Sequence, residues 1–234
     1  MLHKLYTQFF QSTCALCDDA AQIDLDLCSA CHGNLPSNQH ACSVCALPLP
    51  PSEGTADSML QCGNCLGQNG PVTQSVIPYL YRPPADYMIR RLKYADDTKF
   101  GRLTGELLLQ AINHRYGHLP DCLIPVPLHT SRYRRRGFNQ AGIIAGHLAS
   151  RLQLPVLESV VERVIASDQQ AALGARDRQR NMRRAFAVKQ SVTAQWVAIV
   201  DDVYTTGTTC STLASTLLAA GARRVDVWAF ARTP

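Results

Sequence analysis

Trp196-Val197-Ala198-Ile199-Val200-Asp201-Asp202-Val203-Tyr204-Thr205-Thr206-Gly207-Thr208-Thr209 is the stretch that decides the fold. Five apolar residues run into two adjacent carboxylates. Two residues later comes a short loop of hydroxyls around one glycine, and a helix-compatible segment follows from about Cys210. Apolar strand, polar loop, then helix is the geometry of a phosphate site at the carboxyl end of a parallel strand. Gly207 lets the backbone come close to an anion, and successive N–H groups with threonine hydroxyls can cradle its oxygens. Asp201 and Asp202 would repel a phosphate. They suit a neutral diol, such as that of a ribose, or a bridging Mg²⁺. A sugar 5-phosphate that also carries a metal-bound pyrophosphate satisfies every group in the stretch. That description fits phosphoribosyl pyrophosphate.

The same residues resemble the ligand motif of type I phosphoribosyltransferases: four or five hydrophobic residues, two acidic ones, then Thr-Gly-x-Thr. A Walker A loop would need a lysine after its second glycine, and none is present here.

The rest of the chain sets the frame. A chain of 234 residues with 46% hydrophobic composition has the makings of an ordinary core and room for one large unit or two unequal ones. Its uncharged apolar stretches are far shorter than a membrane span requires. Residues 1–13 carry only Lys4 and do not read as a signal peptide, so a cytoplasmic location without membrane insertion is expected. The net charge of +5 conceals an asymmetry. Residues 1–75 hold one basic residue against six acidic ones, and the rest of the chain holds 22 against 12. With Gly67, Gly70 and Pro71 as breakers, this places a boundary between a front unit, 1–72, and a larger one, 73–234.

Eight of the ten cysteines lie in the front unit as four Cys-x-x-Cys pairs: Cys14/Cys17, Cys28/Cys31, Cys42/Cys45 and Cys62/Cys65. Each pair is a knuckle that offers two thiolates to one metal, and two knuckles close a tetrahedral site. Two structural zinc ions are therefore expected. Chain order joins 14/17 with 28/31 and 42/45 with 62/65, although sequence order alone does not exclude an interleaved pairing. Disulfides suit a cytoplasmic chain poorly, and an iron–sulfur cluster would favour a tighter run of ligands. The front unit has few large apolar residues and should need its metal to fold. Cys122 and Cys210 read as buried structural thiols.

Hydrophobic patterning predicts strands at 74–82, 122–126, 155–165, 185–189, 196–200 and 225–230. Helices are expected at 84–94, 99–116, 139–152 and 211–220, with loops at 128–138 and 166–184. Alternating strands and helices make an α/β fold, a mostly parallel sheet with flanking helices. In such sheets ligands sit beyond the carboxyl ends of the strands. The 127–140 loop, with Arg132, Arg134, Arg135, Arg136 and Gly137, would therefore share a crevice with the 201–209 stretch if their strands are neighbours. Its arginines suit a pyrophosphate, and a solvated basic loop or a nucleic-acid contact is the alternative. The 166–184 loop carries Gln169, Gln170, Arg176, Arg178, Asn181 and Arg183, and reads as a closing lid or as a mobile basic loop.

Taken together, the chain resembles the ComF family of competence-associated proteins, which includes GntX-like members. The resemblance rests on the Cys-x-x-Cys knuckles, Pro125-Val126-Pro127, Arg136-Gly137-Phe138-Asn139-Gln140, Gln170…Leu173…Arg178…Asn181…Phe186, and Val200-Asp201-Asp202-Val203…Thr206-Gly207. It implies a type I phosphoribosyltransferase-like fold behind a double zinc ribbon, and a role with imported single-stranded DNA and the DNA-uptake machinery. On this reading Asp201 and Asp202 are the catalytic pair, holding the ribose diol and offsetting charge on the ring. Thr205, Thr206, Gly207, Thr208 and Thr209 grip the 5-phosphate, and Arg132 to Arg136 steady the Mg²⁺-bound pyrophosphate. Two other functions remain open. A nucleobase-salvage enzyme would need a hood for the base, and none can be named here. A non-catalytic metabolite sensor would contact DNA through its basic unit, mainly by charge.

Overall fold

Two nine-residue segments, Trp196–Tyr204 and Arg224–Arg232, are mostly apolar and mostly buried. Strands of that kind belong in the middle of a parallel sheet covered on both faces. The computed structural model, which describes residues 12–50, 60–94, 97–165 and 185–234, places them there. In chain order the strands are β1 (Gln74–Val76), β2 (Tyr79–Leu80), β3 (Cys122–Pro125), β4 (Val161–Arg163), β5 (Phe186–Val188), β6 (Trp196–Tyr204) and β7 (Arg224–Arg232). The main sheet runs β1-β7-β6-β3, all parallel, with β2 also paired to β7. β4 and β5 form a separate antiparallel pair.

The helices are α1 (Ser29–Gly33), α2 (Ala85–Tyr94), α3 (Thr98–Arg115), α4 (Thr130–Arg136), α5 (Gln140–Leu152) and α6 (Thr208–Ala219). Alternation along β6 divides its side chains between two cores. Ala198 and Val200 join Trp228, Phe230 and the apolar faces of α2, α3 and α5. Val197 and Ile199 join Val225, Val227 and Leu213, Ala214 and Leu217 of α6.

The front segment is built into this body. Leu25, Leu27 and Leu35 share the first core with Met88, Phe100 and Leu103. The backbone at 36–38 pairs with β2: Leu80 N donates to Pro36 O at 2.7 Å, and Asn38 N donates to Pro78 O at 2.7 Å.

Several expected elements differ in extent. The strand expected at 74–82 is two strands. Pro78 has no N–H to give a ladder, and its carbonyl turns to Asn38. The 128–138 loop contains the helix α4, which starts where His129 Nδ1 accepts from Ser131 N at 3.3 Å and ends at Gly137 with φ +79°. Four closely spaced arginines hide any apolar period there. The stretch 155–165 contributes β4 and one parallel bridge, Leu123 to Val156. β6 continues four residues beyond Val200, so the acidic pair lies inside a strand.

Candidate functional site

β6 extends past Val200 because β7 supplies it with partners: Asp201 stands beside Ala229, Val203 beside Ala231 and Tyr204 beside Arg232. β3 lies on its other side and stops opposite Val200. The acidic pair thus projects beyond the end of β3. The strands that carry the two candidate loops are neighbours, which is the condition for one shared crevice. Asn139 Nδ2 ties the base of the β3 loop to Val126 O at 3.0 Å.

The two carboxylates have different surroundings. Successive residues of a strand point to opposite faces, so Asp202 turns towards α2 and Asp201 towards α6. Asp202 forms an ion pair with Lys93, the penultimate residue of α2, and both side chains are largely buried. Asp201 Oδ1 accepts from Asp202 N at 2.9 Å, and its Oδ2 lies 3.9 Å from the Cys210 thiol, which donates to it. Burial and the neighbouring Asp202 charge push Asp201 well above the ordinary carboxylate range, against a smaller opposing pull from Lys93. Burial alone would lower Lys93, but the Asp202 and Asp201 charges outweigh it and hold the ammonium above its usual value.

The hydroxyl loop closes onto α6. Gly207 sits at φ +76° as the residue before the helix, and a β-carbon there would stand 2.1 Å from the Tyr204 hydroxyl oxygen. Glycine is therefore required twice over, for its backbone and for its lack of a side chain. Thr206 Oγ1 and Thr208 Oγ1 are 2.8 Å apart, and Thr205, Thr206 and Thr208 are exposed while Thr209 is half-buried. The first turn of a twelve-residue helix begins at this loop, with Thr208 N donating to Thr206 Oγ1 at 3.5 Å, and brings the positive end of the helix to the same region.

The arginines of α4 divide into two kinds. Arg134 and Arg135 are exposed, whereas Arg132 and Arg136 are half-buried. Arg136 donates to Gln140 Oε1 at 3.0 Å, and its guanidinium lies over the Tyr94 ring at 5.5 Å. The end of α2 therefore meets both loops, Lys93 at the acidic pair and Tyr94 at the basic helix. Sequence reasoning missed Lys93. A signal existed: it lies four residues after buried Ile89 and beside buried Leu92, and a cation on such a face needs a carboxylate. Gln169, Gln170, Arg176, Arg178, Asn181 and Arg183 of the expected lid lie outside the described residues.

The cysteines settle into two sets in chain order, Cys14/Cys17/Cys28/Cys31 and Cys42/Cys45/Cys62/Cys65, with the sulfurs of each set within 4.8 Å of one another. Interleaving is excluded. Cys17 and Cys28 sulfurs are 3.6 Å apart, and those of Cys45 and Cys62 3.7 Å. Tetrahedral zinc with bonds of about 2.3 Å sets sulfur separations of about 3.8 Å, so both sets fit the ion. Burial raises Cys14 and Cys42, but backbone hydrogen bonds around each knuckle prevail and bring both thiols down to about 7. Burial and the neighbouring thiols push Cys31 and Cys65 the other way, upward. Cys122 and Cys210 are buried, as expected, and burial pushes both upward.

Such a body defines a class of protein, an α/β fold with a parallel sheet and flanking helices that carries two four-cysteine centres. Residues 5–66 match the double zinc ribbon domain family. The chain is 35% identical over 220 residues to competence protein F of Haemophilus influenzae, spanning 88% of this chain and 96% of that protein. It is 34% identical over 211 residues to the DNA utilization protein YhgH of Escherichia coli O157:H7, spanning 88% and 90%. The chain belongs to the ComF family. Among solved structures, the purine phosphoribosyltransferase of Pyrococcus horikoshii aligns with 68% of this chain and 87% of its own, at 13% identity and a TM-score of 0.33. A protein of Thermus thermophilus aligns with 57% and 83%, at 16% identity and a TM-score of 0.35. Among the described residues no helix is long and apolar enough to cross a membrane.

Proposed function

We propose that this ComF-family protein binds phosphoribosyl pyrophosphate, with the Mg²⁺ that accompanies it, at the carboxyl edge of β3 and β6. It retains the groups needed to transfer the phosphoribosyl moiety, and it serves the handling of DNA brought into the cytoplasm. The observation that carries this reading is the convergence of the acidic pair, the threonine–glycine loop and the α4 arginines at the ends of two adjacent parallel strands. The names of its relatives, competence protein F and DNA utilization protein, support the cellular setting.

Each group has a task. The loop amides, with Thr206 and Thr208, hold the 5-phosphate at the start of α6. Asp202 and Asp201 accept from the ribose hydroxyls and stabilise positive charge developing on the ring as pyrophosphate leaves. Lys93 already balances one carboxylate, so the pair suits a neutral diol better than direct ligation of a second cation. Arg134 and Arg135 take the pyrophosphate oxygens. Mg²⁺ bound to the pyrophosphate supplies charge neutralisation on the leaving group. The surplus of basic residues after position 75 provides a surface for single-stranded DNA through phosphate contacts.

Calorimetry with phosphoribosyl pyrophosphate and Mg²⁺ tests the site. The wild-type chain should bind, and Asp201→Asn with Asp202→Asn should abolish binding while far-UV and near-UV dichroism stay native. Thr206→Val should weaken affinity about tenfold or more, the worth of a hydrogen bond to a charged oxygen. Equal affinity in the double variant would remove the acidic pair from the site.

A further inference from the structure

The two cysteine centres are attached to the body in different ways. The first is joined to α3 by apolar packing and by the Arg102–Asp26 ion pair. The second is held through its own backbone. Three consecutive carbonyls of its first knuckle accept from the sheet: Ser43 O from Ser75 N at 2.7 Å, Val44 O from Ser75 Oγ at 2.5 Å, and Cys45 O from Arg232 Nε at 3.0 Å. Arg232 ends β7 and does not stop at the knuckle. Its NH1 group donates to Thr205 O at 3.0 Å and to Thr233 O at 2.6 Å, and its guanidinium faces the Tyr204 ring at 5.6 Å. Tyr204 in turn fills the space under Gly207. One planar cation therefore spans the backbone carbonyl of Cys45, whose sulfur belongs to the second centre, and the first carbonyl of the threonine–glycine loop. Its rigid fork fixes their separation, as a lysine could not.

We propose that Arg232 is a positioning residue that couples the second centre, Cys42/Cys45/Cys62/Cys65, to the 205–209 loop. Metal in the second centre shapes the phosphate grip, and metal in the first does not. The effect on ligand affinity rests on the phosphoribosyl pyrophosphate reading; the effect on the loop does not. Two measurements on the full chain separate them.

Hydrogen exchange of the 205–209 amides reads the loop without any ligand. Arg232→Gln should speed it about tenfold, and so should Cys65→Ser, with zinc content falling from two ions to one. Cys17→Ser removes a ligand from the first centre and should leave loop exchange within about twofold. The Arg232→Gln/Cys65→Ser double variant should be no worse than Cys65→Ser alone, because both changes cut the same link. Arg232→Lys keeps the charge without the fork and should fall between wild type and Arg232→Gln. Calorimetry with phosphoribosyl pyrophosphate and Mg²⁺ should follow the same ranking. Unchanged loop exchange in Arg232→Gln, additive effects in the double variant, or an equal response to Cys17→Ser would overturn the coupling. A wild-type chain that fails to bind the ligand would instead sink the functional reading and leave the exchange result to decide the coupling.

Discussion

Asp201 and Asp202 are adjacent in sequence and opposite in circumstance. Asp202 has a cation across from it, while Asp201 faces a thiol and a like charge. Because the folded state raises Asp201, that carboxyl contributes stability which is fully present below its unfolded value and is lost as pH rises through the folded one. Asp201→Asn should therefore increase thermal stability at neutral pH and flatten the decline above the usual carboxylate range, as melting curves across pH would read. A fall in melting temperature at pH 7 would show that Asp201 is not held under strain. Lys93→Met should cost on the order of 2–3 kcal/mol, somewhat below the roughly 3–5 for breaking a fully buried pair, since some exposure remains at both partners. Denaturant unfolding measures it. The acidic pair and the hydroxyl loop were legible because strand, carboxylates and glycine lie in one contiguous stretch. Lys93 was not, because the charge that explains it comes from the far end of the chain.

At the scale of elements, local sequence located the strands and helices well and their ends poorly. β6 outruns its apolar stretch because β7 offers eight paired positions to it, a tertiary reason that no local pattern carries. α4 escaped notice because helices are recognised by an apolar face, and this one has none buried. Its exposed arginines nevertheless make a defined prediction. If α4 meets single-stranded DNA, Arg134→Ser with Arg135→Ser should lower the slope of log affinity against log salt by about 0.7 for each phosphate that is no longer neutralised. Titrations at several salt concentrations would check it, and an unchanged slope would place the DNA surface elsewhere. At the other loop, Gly207→Ala forces a side chain into positive φ and against the Tyr204 hydroxyl. It should weaken phosphoribosyl pyrophosphate binding more than Thr206→Val does, since it displaces the whole loop rather than one hydroxyl.

For the whole molecule, the charge divide read from sequence does not coincide with a gap in the packing. Leu27 lies in the acidic segment, is fully buried and shares a core with α2 and α3. Leu27→Ala should cost about 2–5 kcal/mol of the stability of the entire chain, seen as one cooperative unfolding transition moved to lower denaturant. Composition made the knuckles and their metal legible. It could not show that the ribbons and the sheet share one core, because a contact between distant segments leaves no periodic trace.

The pairing of residues 36–38 with β2, and of Ser43 with Ser75, has a consequence for solubility. β1 and β2 lie along one margin of the parallel sheet, and the ribbon backbone occupies hydrogen-bonding groups that would otherwise face outward. A bare strand margin is a template for other chains. Stripped of zinc, the protein should lose its edge cover before it loses its sheet. The first symptom of chelation should then be growth in light scattering, with parallel-sheet dichroism still intact.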